Sequence, residues 1–148
     1  MIGAVDWHLL LLFACLFGIT AAFAKTGVSQ EGLAWLAAHG FLPDRLSVLA
    51  PLTLAASNTI GNVPAVILII QLVPDLSDGT LAALALLSTF AGNLLLTGSL
   101  CNIIVAERAA LAGTPLSFAD FARSGIPMTL ASLAVTVAWL WATGLVGF

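Results

Sequence analysis

The run Ser57-Asn58-Thr59-Ile60-Gly61-Asn62-Val63-Pro64 sets hydroxyl and amide side chains beside two helix breakers. Ser and Thr hydroxyls donate and accept, and an Asn amide carries one carbonyl and one NH2 group. Oxygens of this kind coordinate hard cations such as sodium, and the free N–H groups of a helix start attract anions. A second run has the same character: Gly92-Asn93, then Thr97-Gly98-Ser99-Leu100-Cys101-Asn102. Glycine permits irregular backbone in both. The candidate substrate- and ion-binding residues are therefore Ser57, Asn58, Thr59, Gly61 and Asn62, with Thr97, Gly98, Ser99 and Asn102. Ser57, Asn58 and Asn102 are the candidates for a sodium ion. Neither run contains Asp or Glu, which argues against a proton-only relay built by this chain alone. The competing reading is that these small polar residues are glue between packed membrane helices.

Composition says what must position them. Of 148 residues, 61% are hydrophobic and 7% charged, and the mean hydropathy is +1.14. Soluble domains carry about 25% charged residues, so this is an integral membrane protein. Four basic residues make no nucleic-acid footprint. Cys15 and Cys101 lack metal-site spacing and read as packing residues. His8 and His39 read as interface residues, and no nucleophile–base pair or HExxH motif points to an enzyme. No cofactor is expected beyond sodium as a coupling ion.

The whole chain, 1–148, reads as a single transmembrane domain. A first helix is expected over 7–24, bracketed by Trp7 and Lys25. Ala22-Phe23-Ala24 resembles a signal cleavage site, but the flank carries Asp6 and no Lys or Arg, so a retained helix is expected. Residues 30–41 are too short and mixed to span and suit an interfacial segment. Residues 46–73 admit two readings, a re-entrant hairpin with its tip at Ser57 to Pro64 or one long kinked helix. Straight helix over that range would measure about 42 Å, well beyond a hydrocarbon core of about 30 Å. The hairpin is the favoured reading. Pro74 to Gly79 closes it as a turn. Residues 80–112 read as a spanning helix with an unwound centre, Thr80 to Gly92 forming one half and Ile103 to Ala112 the other. Ser117 caps a short helix, and a last span follows over 125–145, its end marked by Trp139 and Trp141. Arg108 and Arg123 then share one side of the membrane and Lys25 and Arg45 the other, so the positive-inside rule does not orient the chain.

These residues carry a resemblance. Ser57 through Ala65 resembles the SN-x-x-x-NVPA signature of the ion transporter superfamily, which holds citrate-transporter-like permeases, divalent anion:sodium symporters and arsenite permeases. Ala91-Gly92-Asn93-Leu94 through Thr97-Gly98-Ser99, then Asn102 to Glu107, resembles a second signature of that group. Phe121 to Pro127 resembles the lead-in to its last helix, and Asp6-Trp7 with the following leucines the start of its second repeat.

The resemblance implies an all-α polytopic fold, one half of an inverted-repeat transporter, with a re-entrant helical hairpin and a discontinuous helix. Ser57, Asn58 and Thr59 would be the hairpin triplet, and Thr97, Gly98, Ser99 and Asn102 would line the broken helix. Arg108 and Arg123 would be cytoplasmic and the C-terminus outside. Members usually have twice this length or more, so the chain resembles a C-terminal repeat without its N-terminal one. The arsenite and sodium/proton branches often carry an acidic residue just before the NVP; Gly61 and Asn62 stand here, which points toward the anion permeases.

The expected function is secondary active transport of a small anion by alternating access, coupled to sodium or protons, in a bacterial inner membrane. Expected partners are membrane lipid, the anion, and the missing repeat or a second copy in a homo-oligomer. The alternatives are an arsenite or sodium/proton exchanger of the same fold, and a non-transporting membrane subunit.

Overall fold

A computed structural model describes residues 7–73 and 75–147. Asp6, Pro74 and the side chain of His8, which figure in the expectations above, lie outside the described residues. Among the described residues seven α-helices follow one another: α1 (Trp7–Lys25), α2 (Val28–Ala38), α3 (Leu46–Ile60), α4 (Asn62–Leu72), α5 (Asp78–Ala91), α6 (Leu100–Leu111) and α7 (Phe118–Ala142). A 3-10 turn, Leu96–Gly98, lies between α5 and α6. There is no strand among the described residues.

Local chemistry sets the helix ends. Ser77 caps α5 by accepting the Thr80 N–H at 3.2 Å. Ser117 caps α7 by accepting the Asp120 N–H at 3.1 Å, and gives its hydroxyl to the Asp120 carboxylate at 2.6 Å. Each bond satisfies a first-turn N–H that has no partner within the helix. Once started at Phe118, α7 continues to Ala142 with Pro127 inside it. The sequence suggested a short capped helix and then a separate span; the 25 residues instead form one rod. Gly27, at φ +82°, turns α1 into α2 with a 62° bend, and Gln30 Nε2 braces the corner by donating to Ala24 O at 2.9 Å. Here α2 is a regular helix of eleven residues ending at Ala38.

The core lies among α3, α4, α5 and α7. Buried positions fall at 80, 83, 84, 87, 88 and 91 on α5 and at 125, 129, 133, 136 and 140 on α7. Both series follow the three-to-four residue spacing of one helix face. Leu46 and Leu49 of α3, Ile69 of α4, Leu84 and Leu87 of α5, and Leu133 and Leu140 of α7 form one cluster with Val146. Leu52 of α3 and Ile69 and Leu72 of α4 line a common cavity, so α4 lies beside α3 rather than prolonging it. The chain end closes the cluster: Leu46 N–H donates to Gly147 O at 2.9 Å, and Val146 is buried.

Outside that core the surface is strongly apolar. Ile19, Leu111, Met128, Val135 and Trp141 are each more than three-fifths exposed. Soluble monomers rarely carry such extended apolar surface. By length and composition α7 is able to cross a membrane, and Leu10–Lys25 with Val28–Ala38 reaches the same standard only as a bent pair. At about 1.5 Å per residue, α7 is roughly 37 Å long. Two elements stand apart from the core. No side chain of α6 is buried, and among the described side chains of α1 only Thr20 is.

Candidate functional site

The two polar runs meet. Asn58, in the last turn of α3, donates through Nδ2 to Leu54 O within its own helix and to Ala91 O at the end of α5, both at 2.9 Å. Its Oδ1 accepts the Leu95 N–H at 3.1 Å. One amide thus satisfies backbone groups on both edges of the non-helical link between α5 and α6. Such groups must find partners wherever water is excluded.

Asn102 does the complementary work from α6. Its Nδ2 donates to Gly92 O at 2.9 Å and more weakly to Leu95 O at 3.4 Å. The link is held so closely that glycine is required within it. A Cβ on Gly98 would stand 2.6 Å from Asn58 Oδ1 and 2.7 Å from Gly92 O. Asn62 and Ser99 approach the same point, each placing its own Cβ 3.4 Å from where a Gly92 Cβ would stand. From the third side α7 presses in at Gly125, where a Cβ would meet Asn93 O at 2.6 Å. Thr129 Oγ1 on α7 also donates to Phe90 O, at 3.4 Å.

The first run is more helical than its composition suggests. A tip of eight residues was expected; only Gly61, at φ +92° and ψ 152°, leaves the helical path. Ser57, Asn58 and Thr59 belong to the last turns of α3, and Asn62 opens α4. The physical reason is local bonding. Thr59 Oγ1 folds back onto Ala55 O and Ala56 O at 3.0 Å, and Asn62 Oδ1 accepts the Val63 N–H at 2.9 Å. These side chains complete helix ends rather than unravel them. Pro64 sits in the first turn of α4, where its missing N–H costs nothing.

Two groups of candidates result. Asn58, Asn62, Gly98, Ser99 and Asn102 converge on the link, whereas Thr59, Gly61, Asn62 and Thr97 line a neighbouring cavity of about 210 Å³ at the tip. That cavity is walled by the first turns of α4 and α6 and by Leu12 and Leu16 of α1, and none of the described residues lining it is charged. Ser57 lines neither; it is turned into the core and is 0% exposed. Its hydroxyl has no hydrogen-bond partner among the described residues, and neither has that of Thr53, also 0% exposed and one turn earlier on the same face of α3.

This pair is unusual within the chain. Thr20, Thr89, Ser132, Thr136 and Thr143 all bond back to the carbonyl four residues earlier. A buried hydroxyl without a partner costs about 1–3 kcal/mol. Two such oxygens, four residues apart and next to Asn58, are suited to a bound water or a small hard cation. Thr53 is a residue the sequence reading missed. Its four-residue spacing from Ser57 was the available signal.

The chain matches the citrate transporter family over residues 1–91. It is 35% identical to a 46 kDa membrane protein of Mycobacterium leprae over 95% of this chain and 35% of that protein. It is 33% identical to a putative transporter arsB of Dictyostelium discoideum over 93% of this chain and 25% of that one. It is 32% identical to the silicon efflux transporter LSI3 of Oryza sativa subsp. japonica over 90% of this chain and 30% of that one. The chain spans between a quarter and about a third of the length of these curated relatives. No solved structure matches it. With an all-helical fold, a surface of membrane character and a match to more than half of its residues, the chain belongs to the citrate transporter family.

Proposed function

We propose that this chain forms one half of a secondary active transporter and moves a small anion together with sodium or protons by alternating access. The observation that carries the reading is the Asn58 bridge, which ties the end of α3 to the non-helical link between α5 and α6. Helix interruptions that face one another across a shared polar centre are how many secondary transporters bind solute and coupling ion at mid-membrane depth. On this reading α3 and α4 are a re-entrant hairpin, and α5 and α6 are the halves of one discontinuous spanning helix.

Roles follow from the chemistry of each group. The first turns of α4 and α6 face the tip cavity, and the positive ends of the two helix dipoles favour an anion, with the Val63 N–H already taken by Asn62 Oδ1. Thr97 offers a hydroxyl there. Thr53 and Ser57 supply unpaired oxygens for sodium, with the Asn102 carbonyl as a further oxygen at the link. Family membership supports an integral membrane location, and the mycobacterial relative is consistent with a bacterial inner membrane. The missing repeat, or a second copy of this chain in a homo-oligomer, would supply the other half of the pathway.

Among the described residues lining it, the tip cavity has no Lys, Arg or His to match a multiply charged anion. This favours, as a second reading, a weakly ionised oxyacid exchanged against sodium or protons, in keeping with the names of the arsB and silicon-efflux relatives.

Uptake into proteoliposomes containing the chain separates these readings. A sodium gradient and a pH gradient are imposed separately, with phosphate, citrate and arsenite as solutes. Coupled uptake is expected, and Asn58→Ala and Ser99→Ala are each expected to abolish it. Uptake that both variants leave unchanged removes this site. A chain that moves none of the solutes under either gradient, also when joined to the N-terminal part of a full-length relative, is a membrane subunit whose polar runs only hold helices together.

A further inference from the structure

We infer that Leu12 and Leu16 of α1 form the wall that limits the size of what the tip cavity admits. This rests on the proposal above that the cavity is a binding site. Among the described side chains, the polar groups around the cavity come from α3, α4 and the link before α6, whereas α1 contributes Leu12 and Leu16. Residues four apart lie over one another on a helix face, so the two side chains form a continuous apolar strip.

The strip continues to Thr20, the buried position of α1, whose Oγ1 is tied back to Leu16 O at 2.8 Å. Thr20 therefore turns no polar group outward and seats this face of α1 against the rest of the protein. Beyond it, Phe23 lines the separate apolar cavity against α3 and α4. One face of α1 thus lies along α4, and at the tip it covers polar groups with two branched hydrocarbons.

A bound solute must make its hydrogen bonds to one side of the cavity and fit its bulk against the leucines on the other. A group too large for that space meets close packing rather than water. Leucine size then decides which solutes are admitted, independently of the groups that bind them.

The test uses the full chain with Cys15→Ser and Cys101→Ser, both exposed positions, and Asn62→Cys as a reporter inside the cavity. The introduced thiol is modified with methyl methanethiosulfonate and with a bulky fluorescein maleimide, and the ratio of the two rates is read. Leu12→Ala with Leu16→Ala is expected to raise the relative rate of the bulky reagent about tenfold, a typical discrimination for apolar groups filling a pocket. Leu16→Trp is expected to lower it. Leu16→Met, which keeps the volume, is expected to leave it unchanged and controls for folding. An unchanged ratio in both the alanine and the tryptophan variants overturns the inference. The assay needs no ligand, so it stands apart from the transport reading. Protection of the same thiol by sodium with phosphate addresses that reading, and absence of protection counts against it alone.

Discussion

At the residue scale the polar side chains divide into those that bind backbone and those that bind nothing. Asn58 is of the first kind. Asn58→Ala strands the Leu95 N–H and leaves Ala91 O with only the Leu94 N–H at 3.2 Å, and stranding a partly buried group costs about 1–3 kcal/mol. The expected result is a lower melting temperature of the purified chain in detergent, with no added ligand present. Thr53 is of the second kind, and its substitution separates structural glue from a binding role. Thr53→Val has nearly the same shape and deletes an oxygen that no described residue satisfies. In potassium chloride it should change stability by less than about 1 kcal/mol, or raise it, because replacing an unpaired polar group is nearly neutral or favourable. A hydroxyl that served as ordinary helix glue would instead cost stability in any salt.

At the scale of elements the account rests on two departures from helix. Gly61→Ala places a side chain at φ +92°, outside the regions open to L-residues, and should cost about 1–3 kcal/mol by chemical denaturation. Gly98→Ala has a different cause: the backbone allows a side chain, but its Cβ has no room beside Asn58 Oδ1 and Gly92 O. Forcing the link outward should cost about 1–3 kcal/mol and should loosen the Asn58 bridge as well. Both breaks were legible in the sequence, since Gly61 with Pro64 and Gly92 with Gly98 interrupt apolar runs too long for one helix. Their extent was not. Asn58, Thr59 and Asn62 are poor helix formers by type, yet their side chains bond to adjacent backbone and keep the helices intact to within one residue of the turn. The start of α7 was misjudged for a related reason. A capping serine marks where a helix begins, and nothing in the Arg123-Ser124-Gly125 run ends it, because Gly125 is there to meet the link. The Asn58 bridge joins residues more than thirty positions apart, which no local pattern reveals.

At the scale of the whole molecule, a closely packed body of α3, α4, α5 and α7 carries the breaks, while α1 and α6 remain largely uncovered. The body is closed by its own C-terminal segment. Deleting residues 145–148 removes the Gly147 acceptor of Leu46 N–H and the buried Val146. Roughly 2 kcal/mol or more should be lost in thermal melting, the sum of a hydrogen bond and a buried aliphatic side chain. The uncovered faces fit a chain that spans between a quarter and about a third of its relatives. The central claim is that the meeting point of the breaks binds a coupling ion and its solute. It is tested most directly by melting the purified chain in sodium chloride and in potassium chloride at equal ionic strength. At about a hundred times its dissociation constant, sodium should add about 2.7 kcal/mol to the stability of the unsubstituted chain, and the gain should vanish when Thr53→Val is combined with Ser57→Ala. Equal melting temperatures in the two salts, or a sodium effect that survives that pair of substitutions, would contradict it.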